Sequence, residues 1–317
     1  MPTSPIGDEE FAAIFEAVGA RKTSEQLGIG LRKVFQRRRD VERRLGRPLI
    51  ATGGINAAYP KAQEHPGRHT LEIENGVILV AGDAHYWPGI VTTAHRALVK
   101  ACKEMKPRAI IMNGDIFDGA SVSRHAPIGW EQRPSVVQEL EACRDRLGEI
   151  EQAAGKIEKI WPLGNHDARF ETRLATVAPE YAKVHGVHLK DHFAFWQSCW
   201  SCWINDGHVV VKHRYKGGVH ATRNNVLNAG TNIVTNHLHQ GKATPISNYK
   251  GTFWGVDTGT LCEPPWYQAI DYLEDSPPDW RSSFVVLTFH NGEMLTPEFV
   301  YRHSDGYVQF RGKVWNV

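Results

Sequence analysis

Between Gly76 and Gln240 the chain repeats one local pattern five times: a short apolar run breaks off into aspartate, asparagine or histidine. The runs are "GVILVAGDAH", "RAIIMNGDIFDG", "KIWPLGNHD", "HVVVKHRYKGG" and "TNIVTNHLHQ". Between the first three lie "TTAHRALVKACKEM" and "SVVQELEACRDRLGEIEQAAG", whose apolar residues recur at helical spacing. Strand, helix, strand, helix, strand predicts an α/β fold. In open α/β sheets ligand sites lie beyond the carboxyl ends of strands, and each polar cluster occupies such an end.

The flanks have a different texture. Residues 8–48 read as helical: "DEEFAAIFEAVG" sets Phe11, Ile14, Phe15 and Val18 at helical spacing behind acidic residues. Thr23 or Ser24 is placed to cap a short helix, Gly28 and Gly30 flank a turn, and a strongly basic helix runs on to Gly46. Short helix, glycine turn, basic helix is the outline of a helix-turn-helix, and the segment resembles small DNA-binding segments of bacterial and phage proteins. Two other readings stand beside it: a solvated basic helix packed on the main domain, or a docking face for a partner protein through Phe11, Ile14 and Phe15. Residues 49–70 read as a linker, and residues 71–317 as the main domain. The last third, with "FWGVDTGTL", "SSFVVLTFHNGEML" and "GYVQFRGKVWNV", reads as further strands and hairpins.

Charge and cysteine totals narrow the function classes. The 317 residues carry 37 Lys+Arg against 35 Asp+Glu, a formal net charge of +2, so the chain as a whole is no general polyanion binder. Sixteen histidines are spread along it. Five cysteines form no disulfide framework and favour a reducing cytoplasm. Cys199 and Cys202 have metal or redox spacing, but without a second pair they read as ordinary thiols. No secretory signal or bilayer-spanning run is evident, so a soluble, intracellular protein with no membrane partner is expected.

Collected in order, the strand-end residues are Asp83 and His85; Asp115 and Asp118; Asn165, His166 and Asp167; His213; and His237 and His239. A lone Asp-x-His at a strand end is usually a turn or a helix cap. Five groups at successive ends supply the oxygen and nitrogen donors that divalent metal ions require. Residues two apart on a strand share a face, so Asp83 with His85, and His237 with His239, point into one site if their strands continue that far. Carboxylates mixed with imidazoles suit Mn, Fe, Zn, Co or Ni better than Ca, and the lack of cysteine argues against a structural zinc knot.

The five motifs in order, "GDAH" at 82–85, "NGDIFD" at 113–118, "LGNHD" at 163–167, "VVVKH" at 209–213 and "TNHLH" at 235–239, resemble the signature of the calcineurin-like metallophosphoesterases. The resemblance covers roughly residues 75–262. More narrowly, "HYWPG", "SRHAP" and "HRYKGG" look like phosphoesterases encoded in phage and prophage genomes, which would place the expected cytoplasm in a bacterial or phage-infected host cell. It implies an αββα sandwich, two packed mixed β-sheets flanked by helices, with the helical segment added at the N-terminus. It also implies two divalent ions, manganese first, with Fe, Zn, Co, Ni or Mg as alternatives. Asp83, His85 and His239 would hold one ion, Asn165, His213 and His237 the other, and Asp115 would bridge them. His166 would protonate the leaving oxygen, oriented by Asp118, and Asp167 would fix its loop.

The chemistry so implied is hydrolysis of a phosphate ester by a hydroxide held between the metals. A phosphodiesterase or nuclease, with DNA held through residues 8–48, leads. The alternatives are a phosphomonoesterase on a nucleotide or phosphoprotein, and a non-catalytic DNA-binding protein using the domain as a scaffold. Two departures from the family pattern, Asn236 before His237 and Arg214 after His213, put side chains where glycine is usual and bear on pocket shape. Arg124, Arg169 and Arg214 are candidate phosphate contacts, with His125, Tyr215 and Lys216 beside them. Tyr86 and Trp87 are a candidate platform for the leaving group. Surface ion pairing for the arginines and core packing for the aromatics are the competing readings. Oligomeric state has no signature in the sequence.

Overall fold

A glycine breaks the first helix of the chain. In the computed structural model, which describes residues 6–49, 51, 65–127, 129–263, 273 and 276–317, helix α1 (Asp8–Leu27) is interrupted at Gly19, whose φ of 74° takes it out of the helix. Gly28, left-handed at φ 62°, ends α1, and Gly30 opens α2 (Leu31–Leu45). Neither Thr23 nor Ser24 caps a helix: their hydroxyls donate to the carbonyls of Gly19 and Ile29. Phe11, Ala12 and Phe15 meet Val34, Val41 and Leu49 in a small core.

The arginines of α2 are largely engaged within this unit, Met1–Pro66. Arg38 pairs with Glu42, Arg43 with Asp40, Arg44 with Asp8 and Arg47 with Glu16, while Arg37 donates to the Ile6 carbonyl and lies over the Phe11 ring. Most of the linker expected at 49–70 lies outside the described residues.

The second unit, Gly67–Val317, holds all five motifs. Its elements are β1 (Arg68–Leu71), β2 (Gly76–Ala81), α3 (Thr93–Met105), β3 (Ala109–Met112), α4 (Val136–Ala154), β4 (Glu158–Pro162), α5 (Asp167–Val177), β5 (Gln197–Cys199), β6 (Ser201–Ile204), β7 (Val209–Val211), α6 (Ala221–Ala229), β8 (Asn232–Thr235), β9 (Lys242–Asn248), β10 (Gly251–Asp257), β11 (Ser283–His290), β12 (Glu293–Met294), β13 (Glu298–Ser304), β14 (Tyr307–Phe310) and β15 (Lys313–Asn316). They form two mixed sheets. One has the order β1-β6-β7-β8-β10-β9, the other β15-β14-β13-β11-β2-β3-β4-β5, with β12 paired to β11. The strands β2, β3, β4 and β5 run parallel, as do β7, β8 and β10.

Strand alternation explains the layering. Ile78 and Val80 of β2, Ile111 of β3 and Ile160 of β4 meet Val209 and Val211 of β7 and Val234 of β8 between the sheets. Leu79 and Ala81, from the same β2, face the other way and pack with Ile110, Met112 and Trp161 under α3 and α4. On the far side Val210 and Ile233 pack with Val226 of α6. Helix, sheet, sheet, helix is therefore the αββα arrangement, and strands covered on both faces need the near-continuous apolar runs seen in the sequence. Cys199 and Cys202 lie buried between the sheets as free thiols. Among the described residues no helix is long and apolar enough to cross a membrane.

The α6 layer approaches its sheet closely. A Cβ on Gly255 of β10 would come within 1.9 Å of the Thr222 carbonyl oxygen. Gly255→Ala should therefore push α6 off the sheet and destabilise the unit by about 1–3 kcal/mol, read as a lower urea midpoint. An unchanged midpoint would show that the contact is relieved at no cost.

Candidate metal centre

The parallel strands end before the polar residues begin. β2 stops at Ala81 and β8 at Thr235, so Asp83, His85, His237 and His239 are not strand residues, and strand alternation does not aim them. A different device does. Asp83, His85, Asp115, His237 and His239 all have positive φ, at 47°, 41°, 51°, 78° and 59°. Non-glycine residues in this region carry strain of about 1 kcal/mol or more each, which surrounding bonds must hold in place.

Those bonds are present. Asp83 N–H donates to the Gly114 carbonyl and His85 N–H to the Asp115 carbonyl, both at 2.9 Å, so the loops after β2 and β3 are zipped together. Thr260 Oγ1 donates to the Asp83 carbonyl at 2.6 Å, Arg281 N–H to the His239 carbonyl at 2.7 Å, and His237 N–H to Asp83 Oδ2 at 2.7 Å.

Asp167 ties the next pair of loops. Its Oδ2 accepts from the backbone N–H groups of Asp115 and Gly164 and from Trp161 Nε1, and its Oδ1 from Ile116 and Phe117, all within 3.0 Å. Gly164 is required here, because a Cβ would come within 2.0 Å of Asp115 Oδ1. That oxygen accepts from His166 N–H at 2.8 Å. Asn165 therefore sits between two residues that both abut Asp115.

Two ligand groups result. Asp83, His85 and His239 offer donor atoms within 4.8 Å of one another, and so do Asp115, His213 and His237. His239 Nε2 lies 3.3 Å from Asp83 Oδ1, and His213 Nε2 lies 3.1 Å from Asp115 Oδ2. Asp83 Oδ1 also lies 4.0 Å from His213 Nε2, so this carboxylate faces imidazoles of both groups. His213 is aimed by its other nitrogen, Nδ1, which lies 2.8 Å from the Asn113 carbonyl.

Asp118 stands at the edge of the first group. Its Oδ1 is 2.7 Å from His85 Nδ1 and 2.9 Å from His166 Nδ1, so one oxygen orients both rings. Arg169 sends one nitrogen to the Asp118 carbonyl at 2.9 Å and another to His166 Nε2 at 3.1 Å. With Nδ1–H donated to Asp118, Nε2 carries the lone pair that receives Arg169.

The donor set fits divalent cations on its own chemistry. Asp83 is fully buried, and burial by itself would raise its carboxyl; His239 and His213 outweigh that and hold it below the usual range. Asp115 and Asp118 are held down in the same sense against their burial, by His213 and by His166 with His85. His213 is pushed up to about 10, burial opposing its charge and Asp115 prevailing. Asn165 Oδ1 is a buried oxygen with no hydrogen-bond partner among the described residues, and Asp83 Oδ1 faces imidazoles, His239 at 3.3 Å and His213 at 4.0 Å. An orphaned amide oxygen beside ionised carboxylates and imidazoles fits cation coordination, since leaving it unpaired costs about 1–3 kcal/mol.

The remaining candidates separate. Arg169 is brought to His166. Arg124 and Arg214 are exposed and make no contact with the donor set among the described residues. Tyr86 forms no platform: its ring is buried under α3, and its hydroxyl meets His95 Nδ1 at 2.9 Å. Trp87, next to it, is half-buried.

Asn236 turns its amide away from the donors. Its Oδ1 accepts from Asn113 Nδ2 at 2.9 Å and its Nδ2 donates to the Gly259 carbonyl at 3.0 Å, joining loops of both sheets. Four residues were not singled out from the sequence. Asn113 completes this amide pair, and Asp257 Oδ1 accepts from Gln240, Gly241 and Gly259 N–H. Trp280 packs its ring 4.8 Å from that of His239, and buried Glu139 supports the Ala120 N–H beyond Asp118. Only Asn113 carried a signal, as the residue opening "NGDIFD".

No family model and no curated protein matches the chain. Among solved structures it is similar to a "putative diadenosine tetraphosphatase", at 15% identity and TM-score 0.35 over 74% of this chain and 98% of that one. It is also similar to Vps29 of Chaetomium thermophilum, at 10% identity and TM-score 0.37 over 76% of this chain and 97% of that one. The chemistry of the centre rests on its own donors.

Two tests follow from the supports. Asp167→Asn keeps one acceptor but turns an amide donor toward N–H groups, and should cost about 2–4 kcal/mol in chemical denaturation. Stability within experimental error of wild type would remove Asp167 as the tie. Glu139 is raised to about 7, first by burial and then by Asp118, with its hydrogen bonds to Ala120 and Gly119 and the nearby Arg169 opposing. Its folded-state value lies above the ordinary one, so its contribution is complete in acid and disappears as pH climbs through about 7. Glu139→Gln stays neutral, so thermal melts should show a smaller loss of stability from about pH 5 to pH 8 than wild type. Parallel curves would contradict this.

Proposed function

We propose that the chain is a dinuclear metal-dependent phosphoesterase of the calcineurin-like type, with phosphodiesters of nucleic acid as its preferred class. One observation carries the reading: two Asp/His ligand groups adjoin through Asp83 Oδ1, beside a buried Asn165 Oδ1 that has no hydrogen-bond partner among the described residues. Asp83, His85 and His239 would hold one cation, and Asp115, Asn165, His213 and His237 the second. Bound there, divalent cations supply Lewis-acid charge to phosphoryl oxygens and make water a competent nucleophile at neutral pH.

The chain's own residues do the rest. Asp118 accepts at His166 Nδ1 and favours the charged imidazolium, raising the His166 pKa although burial alone would lower it. A proton on Nε2 can then pass to the leaving oxygen, which completes departure without a free alkoxide. Arg169, beside Nε2, is placed to exchange His166 for a phosphoryl oxygen when an ester arrives.

Separating these roles is direct. His166→Ala should keep its metal, measured by elemental analysis, while hydrolysis of an aryl phosphodiester falls about 10²–10⁴-fold. Asp115→Ala should lose metal and activity together, across Mn, Mg, Co and Zn. Full turnover by the His166 variant, or a metal-free wild type that hydrolyses the ester at the same rate, would defeat the proposal.

A further inference from the structure

No aspartate or glutamate occurs between Asp206 and Asp257, although that run supplies Lys212, Arg214, Lys216, Arg223, Lys242 and Lys250. Because the whole chain is only +2, the rest of it is net acidic. The run is also the one that delivers His213, His237 and His239 to the centre. Elsewhere some arginines find acids, as Arg96 does with Asp305 and Arg311 with Glu298. Lys212, Arg214, Lys216, Arg223 and Lys242 have no acidic partner among the described residues.

The acids bounding the run do not compensate. Asp257 is buried and committed to three backbone N–H groups. Asp206 precedes the amino end of β7, whereas the cations lie beyond its carboxyl end.

The fold gathers these cations on one surface. Lys216 N–H donates to Asn225 Oδ1 at 2.8 Å, fixing the loop after His213 on α6. Thr222 and Thr244 share a 2.7 Å hydroxyl bond that fixes α6 on β9, and Lys242 Nζ reaches the Val219 carbonyl at 3.4 Å. Tyr215, 43% exposed, has the ammonium groups of Lys212 and Lys216 each 5.2 Å from its ring centroid.

Helix stability does not account for the arrangement. Arg223 sits in the first turn of α6, the positive end of the helix, where no acid is present and the His220 side chain gives no cap. A cation there weakens the helix unless an anion joins it. Cations carried on a loop, a helix and a strand match the repeated charges of a chain of phosphates.

We propose that Lys212, Arg214, Tyr215, Lys216, Arg223 and Lys242 form a tract that holds a single-stranded nucleic acid as it enters the centre, its phosphates on the cations and a base on Tyr215. As a substrate path this rests on the phosphoesterase reading, whereas binding to the tract is measured without turnover.

The full chain is titrated with a fluorescein-labelled oligothymidylate, chelator present, between about 50 and 200 mM salt. Wild type should bind with affinity falling steeply with salt. Lys216→Ala/Arg223→Ala/Lys242→Ala should bind at least about tenfold more weakly, with its log–log salt slope shallower by about two. Lys216→Arg/Arg223→Lys/Lys242→Arg should restore both. Tyr215→Ala should lose about tenfold in affinity with the slope kept.

Absence of wild-type binding at low salt overturns the proposal. So does an unchanged slope in the triple variant, the result expected if α2 were the contact, and so does full affinity in Tyr215→Ala. Wild-type hydrolysis of a small aryl phosphodiester is scored separately: binding without hydrolysis defeats the enzymatic reading and leaves the tract standing.

Discussion

A buried carboxylate that is placed to bind no metal organises the centre. Asp167 accepts five N–H donors from the segments around Trp161, Gly164 and Asp115–Phe117. A neutral side chain of the same size could not, because an amide presents one acceptor oxygen and two unwanted donors. The Asp167 anion thus lets the loops after β3 and β4 meet at a distance only glycine allows at position 164. Asp115, Asn165 and His166 are then aimed as one body.

The same economy governs the other loops. Five candidate donors are left-handed, and each is held by a neighbouring loop and not by its own strand. Gly114 makes this possible: a Cβ there would come within 2.5 Å of His213 Nδ1. Zipping Asp83 and His85 onto Gly114 and Asp115 makes the two ligand groups interdependent, since the loop that carries one is the hydrogen-bond partner of the loop that carries the other. Asn113 and Asn236 extend the coupling to the second sheet. Strain is spread over backbone bonds, which leaves the carboxylate and imidazole tips free to face one another.

Much of this was legible in the sequence, and what was not has a physical cause. The strand–helix alternation gave the α/β class, because strands covered on both faces must be apolar throughout, and the two-sheet layering came from the family resemblance. The strand-end residues named side chains that the fold brings together, because such groups are rarely spent together in a core. The aiming mechanism was not legible: Asp83 and His85 two apart suggested a shared strand face, but backbone φ is set by the neighbouring loop, which lies far off in sequence. Tyr86 misled for a related reason. It follows a candidate donor directly, yet a left-handed residue at His85 turns the next side chain back under α3, to His95. Asn236 stood out as a departure, and only the position of Asn113 across the sheet interface shows that it serves as a tie.

Charge shows the sharpest difference between composition and structure. Read along the chain, α2 is the basic element, with arginines at 32, 37, 38, 39, 43 and 44 and a lysine at 33. In the fold Arg37, Arg38, Arg43 and Arg44 are bound to the acids, a carbonyl and the aromatic rings of the same helical unit, while Arg32, Lys33 and Arg39 stay exposed. The run between Asp206 and Asp257 looks less basic by count, but none of its fifty residues is an acid. What attracts a polyanion is charge without an internal partner, and the field of this run comes from five such cations, Lys212, Arg214, Lys216, Arg223 and Lys242. That field adjoins three of the four histidines in the ligand groups.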